Sequence, residues 1–415
     1  MRDLLRILAF IAALSIAAIG AMLGFIGIPM ALISRGPEML TVVTLMASLS
    51  VLALALGSAS AWHAWRAMQG YPSAAFRPKR IWPLAVLFLL ALALGQTMLS
   101  LSLLPLLTFP LLHMAAAILP ALIIVALVGR ALGGVATGRD VVLQAAGGAF
   151  LATPLAFVLE ATAILLIASA TFLGLAWQPG GQDLMLRVTS YLQDPTWLQD
   201  PGALAPGLLT PVIVAAAFAL ITGLIPIVEE AVKTIGIGIT AYRRPSLPQA
   251  MLWGTAAGAG FAIAEGTLNA AAGLGTWLPV VVLRVGTTLL HCTTGALMGL
   301  AWYHMLVRQR WLRGLALYLL SIAIHGLWNG LALAMAFLSL EAFGADPSGG
   351  DQLMAGLNTL AVLLLLGILT LGMAAGLAGL TILARRQGLA VVPVSEHTVP
   401  AARKTLSPED TSPEE

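Results

Sequence analysis

The run IPIVEEAVKTIGIGIT, residues 225–240, places two adjacent glutamates and a lysine within an otherwise apolar stretch. Charged side chains are costly to bury in hydrocarbon, so ionisable residues inside a membrane-spanning segment mark functional sites by default. Glu229 and Lys233 are four residues apart, which predicts that they share a helical face and can pair. Glu230 is turned by about 100° from Glu229, so the two carboxylates need not face the same group.

The whole chain has the composition of a membrane protein. Of its 415 residues, 59% are hydrophobic and 9% are charged, whereas a soluble domain carries about 25% charged residues. The net charge is +3, and the basic residues are clustered in short loops. This pattern is typical of membrane topology and gives no indication of nucleic-acid binding. The bilayer is therefore the expected solvent of this chain.

Apolar runs of roughly 20 residues or more predict about ten spans, and so an all-α, polytopic transmembrane helical bundle. The runs are 4–33, 40–62, 82–107, 111–129, 141–176, 207–242, 249–272, 279–306, 314–340 and 353–383. Arginines concentrate in alternate loops, and the positive-inside rule then predicts that both termini are cytoplasmic. The fifth and sixth runs are too long for one straight span, and Pro154 and Pro226 offer places for a kink.

The spans group into four expected parts. Residues 1–205 form an N-terminal transmembrane region of about five spans with an extracytoplasmic loop, and residues 206–340 form a core of four transmembrane helices. Residues 341–386 hold the last span. Residues 387–415 are rich in Pro, Ser and Glu, which predicts a disordered cytoplasmic tail.

Four consecutive spans within 206–340 each carry an ionisable residue at similar depth. These residues are Glu230, Glu265, His291 and His325. At about 1.5 Å of helix per residue, they lie about 18–25 Å from the nearest cytoplasmic arginine. Helix packing would bring them together near the midplane. His325 and Asn329 are four residues apart, as are Phe261 and Glu265, so each pair shares a face.

Two chemistries suit this set of side chains. Attack of water on an amide carbonyl needs a base, which a buried glutamate can supply, and donors to the oxyanion, which His325 and Asn329 can supply. Alternatively, Glu265, His291 and His325 could be the ligands of a catalytic zinc ion with an open position for water. The zinc-protease signature H-E-x-x-H is absent from the sequence. No cofactor is therefore favoured, and zinc stays the alternative.

At these residues the chain resembles the PrsW family of bacterial intramembrane proteases, which is similar to the membrane CAAX prenyl endopeptidases. The resemblance covers roughly residues 222–335. It rests on the order and spacing of EEAVK (229–233), FAIAE (261–265), LLHCTTG (289–295) and HGLWN (325–329). Glu265 and Lys233 stand where the CAAX enzymes usually have histidine and arginine. This departure favours PrsW and puts prenyl-protein substrates in doubt.

The resemblance implies an intramembrane endopeptidase of the bacterial plasma (inner) membrane. Its substrate would be a membrane-anchored protein, such as an anti-sigma factor. The implied site residues are Glu229 or Glu230 as the base, Glu265 and His291 to complete the water site, His325 and Asn329 for the oxyanion, and Lys233 and Phe261 in support. PrsW proteins have been called metalloproteases, whereas the resemblance to the CAAX enzymes favours glutamate-activated water.

Two other classes of protein remain open from the residues alone. A proton-coupled transporter also places glutamate and histidine within the membrane, but no second, matching half is visible. A scaffold that binds membrane proteins without catalysis is the other class. Glu160, in FVLEATAIL, either extends the site or lies at a kink. Arg284 is expected to anchor the outer interface, and Cys292 to be a small apolar filler.

Overall fold

The computed structural model describes residues 2–33, 37–101, 105–177, 186, 189, 211–271, 276–344 and 349–390. The expected all-α class is confirmed, because the described residues form helices joined by turns and irregular segments, with a single isolated β-bridge between Ala75 and Thr137. The α-helices are α1 (Arg2–Ile33), α2 (Pro37–Met68), α3 (Trp82–Leu101), α4 (Pro105–Leu132), α5 (Gly138–Gly147), α6 (Thr153–Ala176), α7 (Pro211–Phe218), α8 (Ile225–Val232), α9 (Ile235–Thr240), α10 (Leu247–Ala271), α11 (Trp277–Trp302), α12 (Trp311–Gly344) and α13 (Gly349–Ala390).

Nine stretches of the described chain are long and apolar enough to cross a membrane. The predicted span 249–272 is not among them, although it forms the helix α10. Its sequence is rich in Gly, Ala and Thr, and every residue from Ala250 to Ala264 is buried. A helix enclosed by other helices needs no lipid-facing apolar surface, which explains its lower hydropathy. The polytopic helical bundle is thus confirmed.

Both overlong runs are broken where proline was expected to break them. The π-helical segment Gly148–Ala152 joins α5 to α6 just before Pro154, and the π-helical segment Ala219–Leu224 joins α7 to α8 just before Pro226. Proline lacks an N–H, so the preceding turn widens to a five-residue hydrogen-bond register. The second break directly precedes the two glutamates and sets the direction in which α8 presents them.

Helix α10 is the centre of the bundle. It packs against α11, α4, α5, α13 and the π-helical segment Gly148–Ala152. Its closest neighbour is α11, which runs antiparallel to it. A Cβ added at Gly254 would overlap the Gly295 carbonyl, and one added at Gly258 would overlap the His291 carbonyl. These glycines therefore permit the backbone contact that brings α10 and α11 together.

Helices α1 and α2 form an antiparallel hairpin that is also packed through glycines. Gly20 of α1 faces Ala53 and Leu54 of α2, and Gly57 of α2 faces the backbone of Ala17. Many other side chains of α1 are exposed and apolar, as expected for a lipid-facing helix.

Some predicted boundaries move and others fall outside the described residues. Helices α12 and α13 run to Gly344 and from Gly349, so the last loop is shorter than expected, and α13 continues to Ala390, past the predicted tail boundary at 387. Most of the 177–206 loop and the tail from 391 onward lie outside the described residues.

Candidate functional site

The paired glutamates lie at the end of a short helix. Helix α8 begins at Ile225, with Pro226 in its first turn, and ends at Val232, after which Thr234 leaves the helical region with φ −115°. Glu229, Glu230 and Lys233 are all buried. The helix therefore ends just where its charged side chains begin to form contacts with neighbouring helices.

Lys233 pairs with Glu230, not with Glu229 as predicted. Its Nζ lies 2.6 Å from Glu230 Oε1, and both side chains are fully buried. The helix ends at Val232, and the i,i+3 partner is then closer to the ammonium than the i,i+4 partner. Lys233 Nζ also donates to Thr294 Oγ1 at 3.2 Å and lies 5.3 Å from the centre of the Phe261 ring.

The Glu230–Lys233 pair contacts both histidines through the same ring atom. Lys233 Nζ is 2.8 Å from His291 Nδ1, and Glu230 Oε1 is 2.7 Å from His325 Nδ1. The two rings lie edge to face with their centroids 5.2 Å apart. Hydrogen bonds at Nδ1 fix the orientation of an imidazole and determine which nitrogen carries its proton. The pair therefore leaves the Nε2 atom of each histidine for other groups.

The two imidazoles carry their protons on different ring nitrogens. Glu230 accepts the N–H of His325 Nδ1, so a neutral His325 has a lone pair at Nε2. This Nε2 lies 3.7 Å from Glu229 Oε2. The Lys233 ammonium donates to His291 Nδ1, so a neutral His291 carries its proton at Nε2, which lies 2.8 Å from Glu265 Oε2. Thus His325 can accept a proton where His291 can donate one.

Glu265 is held by an arginine that the sequence reading placed elsewhere. Arg284 Nη1 lies 3.2 Å from Glu265 Oε1, and Arg284 Nη2 lies 3.1 Å from Glu265 Oε2. The arginine side chain is 17% exposed. The expectation that Arg284 anchors the outer interface is wrong. It precedes His291 by seven residues, about two turns of α11, and this spacing could have placed it on the same face.

Glu229 is the least engaged carboxylate of the cluster. Its Oε2 is buried and has no hydrogen-bond partner among the described residues. Glu229, Glu230 and Glu265 face two fixed cations, Lys233 and Arg284, so the fully ionised set has one excess negative charge. One proton, or a bound cation, would balance it.

The Asn329 side chain bonds to the backbone of the π-helical segment Ala219–Leu224. Its Nδ2 donates to the Ile221 carbonyl at 3.1 Å. In the π register of residues 219–224, this carbonyl would bond the nitrogen of Pro226, which has no hydrogen to donate. Asn329 therefore pairs the carbonyl that the proline leaves free. The predicted role of Asn329 at the oxyanion stays a prediction, but this bond uses one of its two N–H groups.

Two further buried residues, Glu160 and His113, have no assigned role in the predicted site. Glu160, on α6, is 7% exposed, and its Oε1 has no hydrogen-bond partner among the described residues. It interacts electrostatically with Glu229 and Glu265. His113, on α4, is fully buried and accepts the indole N–H of Trp277 at 3.0 Å. Cys292 is buried in the hydrophobic core, in keeping with a filler.

A zinc ion would find suitable donors here, though not the predicted set. Atoms of Glu229, His291 and His325 lie within 4.8 Å of one another, and all three residues are buried. Two imidazoles and a carboxylate are a common catalytic zinc set. Glu229 takes the place predicted for Glu265, because Arg284 binds both oxygens of Glu265. Glu229 Oε2 is buried without a hydrogen-bond partner among the described residues, so it could act as a ligand atom.

Buried carboxylates and imidazoles from four helices thus meet in one cluster inside a polytopic helical membrane protein. Residues 202–366 match the family model described as PrsW family intramembrane metalloprotease. This match confirms the resemblance and extends it beyond residues 222–335 in both directions. It supports an intramembrane peptidase acting on membrane proteins. Searches of curated proteins and of solved structures found no match to the chain.

Proposed function

We propose that the chain is an intramembrane endopeptidase in which the Glu229 carboxylate activates water. The observation that carries this proposal is the 3.7 Å gap between Glu229 Oε2 and His325 Nε2, two buried acceptor atoms that face each other. A water molecule that donates one hydrogen to each atom would bridge such a gap. Glu230 is less available as a base, since its Oε1 already accepts from Lys233 and His325 and only its Oε2 has no hydrogen-bond partner among the described residues.

The reaction follows from this placement of protons. The water oxygen attacks the peptide carbonyl carbon while Glu229 takes one of its protons. The tetrahedral intermediate then collapses, the C–N bond breaks, and Glu229 returns the proton to the departing amine. The Nε2–H of His291 faces Glu265 Oε2, and a substrate oxyanion that displaces this contact would accept the same hydrogen. Glu230 and Lys233 hold both imidazoles in orientation and do not exchange protons with the substrate.

Glu265 and Arg284 support the site indirectly, through their contact with His291. The bidentate arginine fixes the Glu265 carboxylate, and the Glu265 Oε2 in turn lies beside His291 Nε2. This contact keeps the His291 proton on the nitrogen that faces the site. Phe261 packs its ring 5.2 Å from the His291 ring and closes the site on the side of α10. These residues position the reacting groups.

Zinc-dependent hydrolysis at the same residues is the second candidate, favoured by the Glu229–His291–His325 triad and by the family's description. A bound zinc ion would act as a Lewis acid and activate water directly. Ligation through His291 Nε2 would require that nitrogen to lose its proton, which conflicts with a Lys233 ammonium donating to Nδ1. The glutamate reading needs no such rearrangement.

The substrate class follows from the depth of the site. A peptide bond can reach buried carboxylates among membrane-spanning helices only if its own chain enters the bilayer, so the substrate is a membrane-anchored protein. An anti-sigma factor of the bacterial inner membrane is the candidate that the family resemblance suggests. The enzyme itself would lie in that membrane as a multi-pass protein.

Isosteric substitution of single carboxylates tests the proposal. Glu229→Gln should lower cleavage of a fluorogenic membrane-peptide library by about 10²–10⁴-fold, the usual contribution of a general base. Asp140→Asn is the matched control, because Asp140 is equally buried and paired with Arg243 but lies outside the cluster. Cleavage by the folded Glu229→Gln protein at the wild-type rate would overturn the proposal. A proton-driven flux into liposomes without any cleavage would point to the transporter instead.

A further inference from the structure

A cavity of about 440 Å³ shares no residue with the carboxylate cluster. It lies between the end of α2, the segment that follows it and the start of α5. Arginines concentrate in the loops on this face, which the positive-inside rule predicts to be cytoplasmic. Four of its lining side chains are basic or can become so: His63, Arg66, Arg77 and Arg139.

The side chains that line the cavity carry an excess of positive charge. None of the described residues that line it carries a carboxylate. Asp140, which follows Arg139 in the sequence, forms its hydrogen bonds outside the cavity: its Oδ1 pairs with Arg243 at 2.7 Å, and its Oδ2 accepts from the Thr137 backbone at 3.1 Å. Three guanidinium groups around one space repel each other, and an anion between them would relieve that repulsion.

The walls of the cavity are held by backbone contacts. The Gly138 N–H donates to the Ala74 carbonyl at 3.0 Å, and the Phe76 N–H donates to the Ala136 carbonyl at 2.8 Å. Arg139 is fixed from two sides, by its N–H to Ser73 Oγ at 3.1 Å and by Nη2 to the Tyr71 carbonyl at 2.8 Å. The site is therefore formed before any ligand arrives, which lowers the entropic cost of binding.

Two arginines still have binding capacity toward the cavity. Arg66 lies flat against aromatic rings, with its guanidinium carbon 5.0 Å from the Tyr71 ring centre and 5.6 Å from the Trp62 ring centre. Stacking of this kind leaves the edge of the guanidinium, which carries the donors, open for an anion. Arg139 Nε is buried and has no hydrogen-bond partner among the described residues. A phosphate oxygen would satisfy it.

Exposed tryptophans set the depth of the cavity in the membrane. Trp62 and Trp65, at the end of α2, are 54% and 40% exposed. Tryptophans concentrate at the membrane–water interface, at the level of the lipid headgroups. The cavity beside them is therefore within reach of a headgroup phosphate as well as of a soluble phosphate ester.

We infer that this cavity binds a phosphate group, carried by an anionic phospholipid headgroup or by a soluble phosphate ester. Guanidinium groups bind phosphate oxygens with charge-assisted and often bidentate hydrogen bonds. Arg66, Arg77 and Arg139 supply such groups from separate segments of the chain. This inference is independent of the peptidase activity.

Native mass spectrometry of the full chain in detergent tests the inference. Three probes are added separately: phosphatidylglycerol, the zwitterionic phosphatidylcholine and soluble glycerol phosphate. The variants are Arg66→Gln and Arg77→Gln, in the cavity, and Lys79→Gln and Arg80→Gln, two exposed cations of the same loop that do not line it. Loss of one charge-assisted bond should weaken binding by about tenfold or more. Melting temperatures confirm that each variant is folded.

Tighter binding of phosphatidylglycerol than of phosphatidylcholine, weakened in the cavity variants and unchanged in the control variants, would establish the lipid as the source. The same pattern with glycerol phosphate and no selective lipid binding would establish a soluble ester. Equal weakening in all four variants would mean a diffuse surface charge and would overturn the site, as would the absence of selective binding by any probe.

Discussion

The α1–α2 hairpin and the α10–α11 pair both pack closely through glycines, but they differ in how far neighbouring helices enclose them. Both are antiparallel helix pairs whose glycines bring two backbones into contact. The hairpin exposes apolar side chains on its other faces, whereas α10 is enclosed on all sides over residues 250–264. Close packing by small residues thus gives association in the membrane. Enclosure, and not close packing, is what permits a charged site.

The polar groups that each pair buries follow this difference. In the hairpin, Ser50 Oγ donates to the Gly20 carbonyl at 2.7 Å, a neutral bond that needs no partner beyond the hairpin. Against α10 and α11, by contrast, three carboxylates, two histidines, a lysine and an arginine form one connected set. Each of those charges depends on a partner from another helix. The site is consequently a property of the whole bundle.

Removing the carboxylate of Glu230 should have the largest effect on stability. Glu230→Gln leaves the Lys233 ammonium buried without its 2.6 Å partner, and breaking one side of such a pair typically costs about 3–5 kcal/mol. The double variant Glu230→Gln/Lys233→Met removes both charges and should recover much of this loss. Thermal unfolding in detergent measures both. A single variant as stable as the wild type would show that the pair does not hold the site.

A glycine-to-alanine substitution should affect activity in the α10–α11 pair but not in the α1–α2 hairpin. Gly258→Ala would drive a Cβ into the His291 carbonyl and should cost about 3 kcal/mol as well as displace His291. Gly57→Ala, in the hairpin, should also destabilise, because a Cβ there would lie 2.8 Å from the Ala17 nitrogen. Only Gly258→Ala should lower the cleavage rate of the folded fraction. Equal loss of rate in both would contradict the separation.

Asn329 offers a test of its own, because its partner carbonyl is free only on account of Pro226. Asn329→Ala should cost about 1–3 kcal/mol, because it leaves the partly buried Ile221 carbonyl unpaired. In a Pro226→Ala background, the new N–H can bond Ile221, so the same substitution should become nearly neutral. A double-mutant cycle on unfolding free energy measures the coupling. Additive effects, with a selective loss of kcat, would instead favour the predicted oxyanion role.

The smallest effect is expected in the hairpin. Ser50→Ala removes one neutral hydrogen bond, worth about 1 kcal/mol. The Gly20 carbonyl keeps its hydrogen bond within α1, so no buried polar group is left unpaired. Cleavage should be unchanged when it is normalised to folded protein. A marked loss of activity would mean that the hairpin contributes to the site after all.

Much of this arrangement could be predicted from the sequence, because the depth of a residue in the membrane follows from its position along the helix. Counting residues from the arginine-bearing loops placed Glu230, Glu265, His291 and His325 at one level, and the structure brings them together. Proline identified both kinks. What depth alone could not supply is rotation about each helix axis. Because this rotation is unknown from the sequence, Lys233 was predicted to pair with Glu229 and Arg284 was predicted to lie at the interface.

Other features could not be predicted because they depend on contacts between distant segments. The bond from Asn329 to Ile221 requires a π-helical turn, which the local sequence pattern does not predict. The burial of His113 requires Trp277, which is far along the chain. The basic cavity arises because residues 73–76 lie along residues 136–139. Such pairings leave no periodic trace in the sequence.

The central claim is that the Glu229 carboxylate, and not a metal ion, activates the water. The most direct test measures the metal content of the purified chain together with its cleavage of membrane peptides before and after treatment with a strong chelator. The account predicts that cleavage continues at the same rate after chelation. About one zinc ion per chain, with activity that is lost on chelation and restored by zinc, would contradict it and make Glu229, His291 and His325 the ligands.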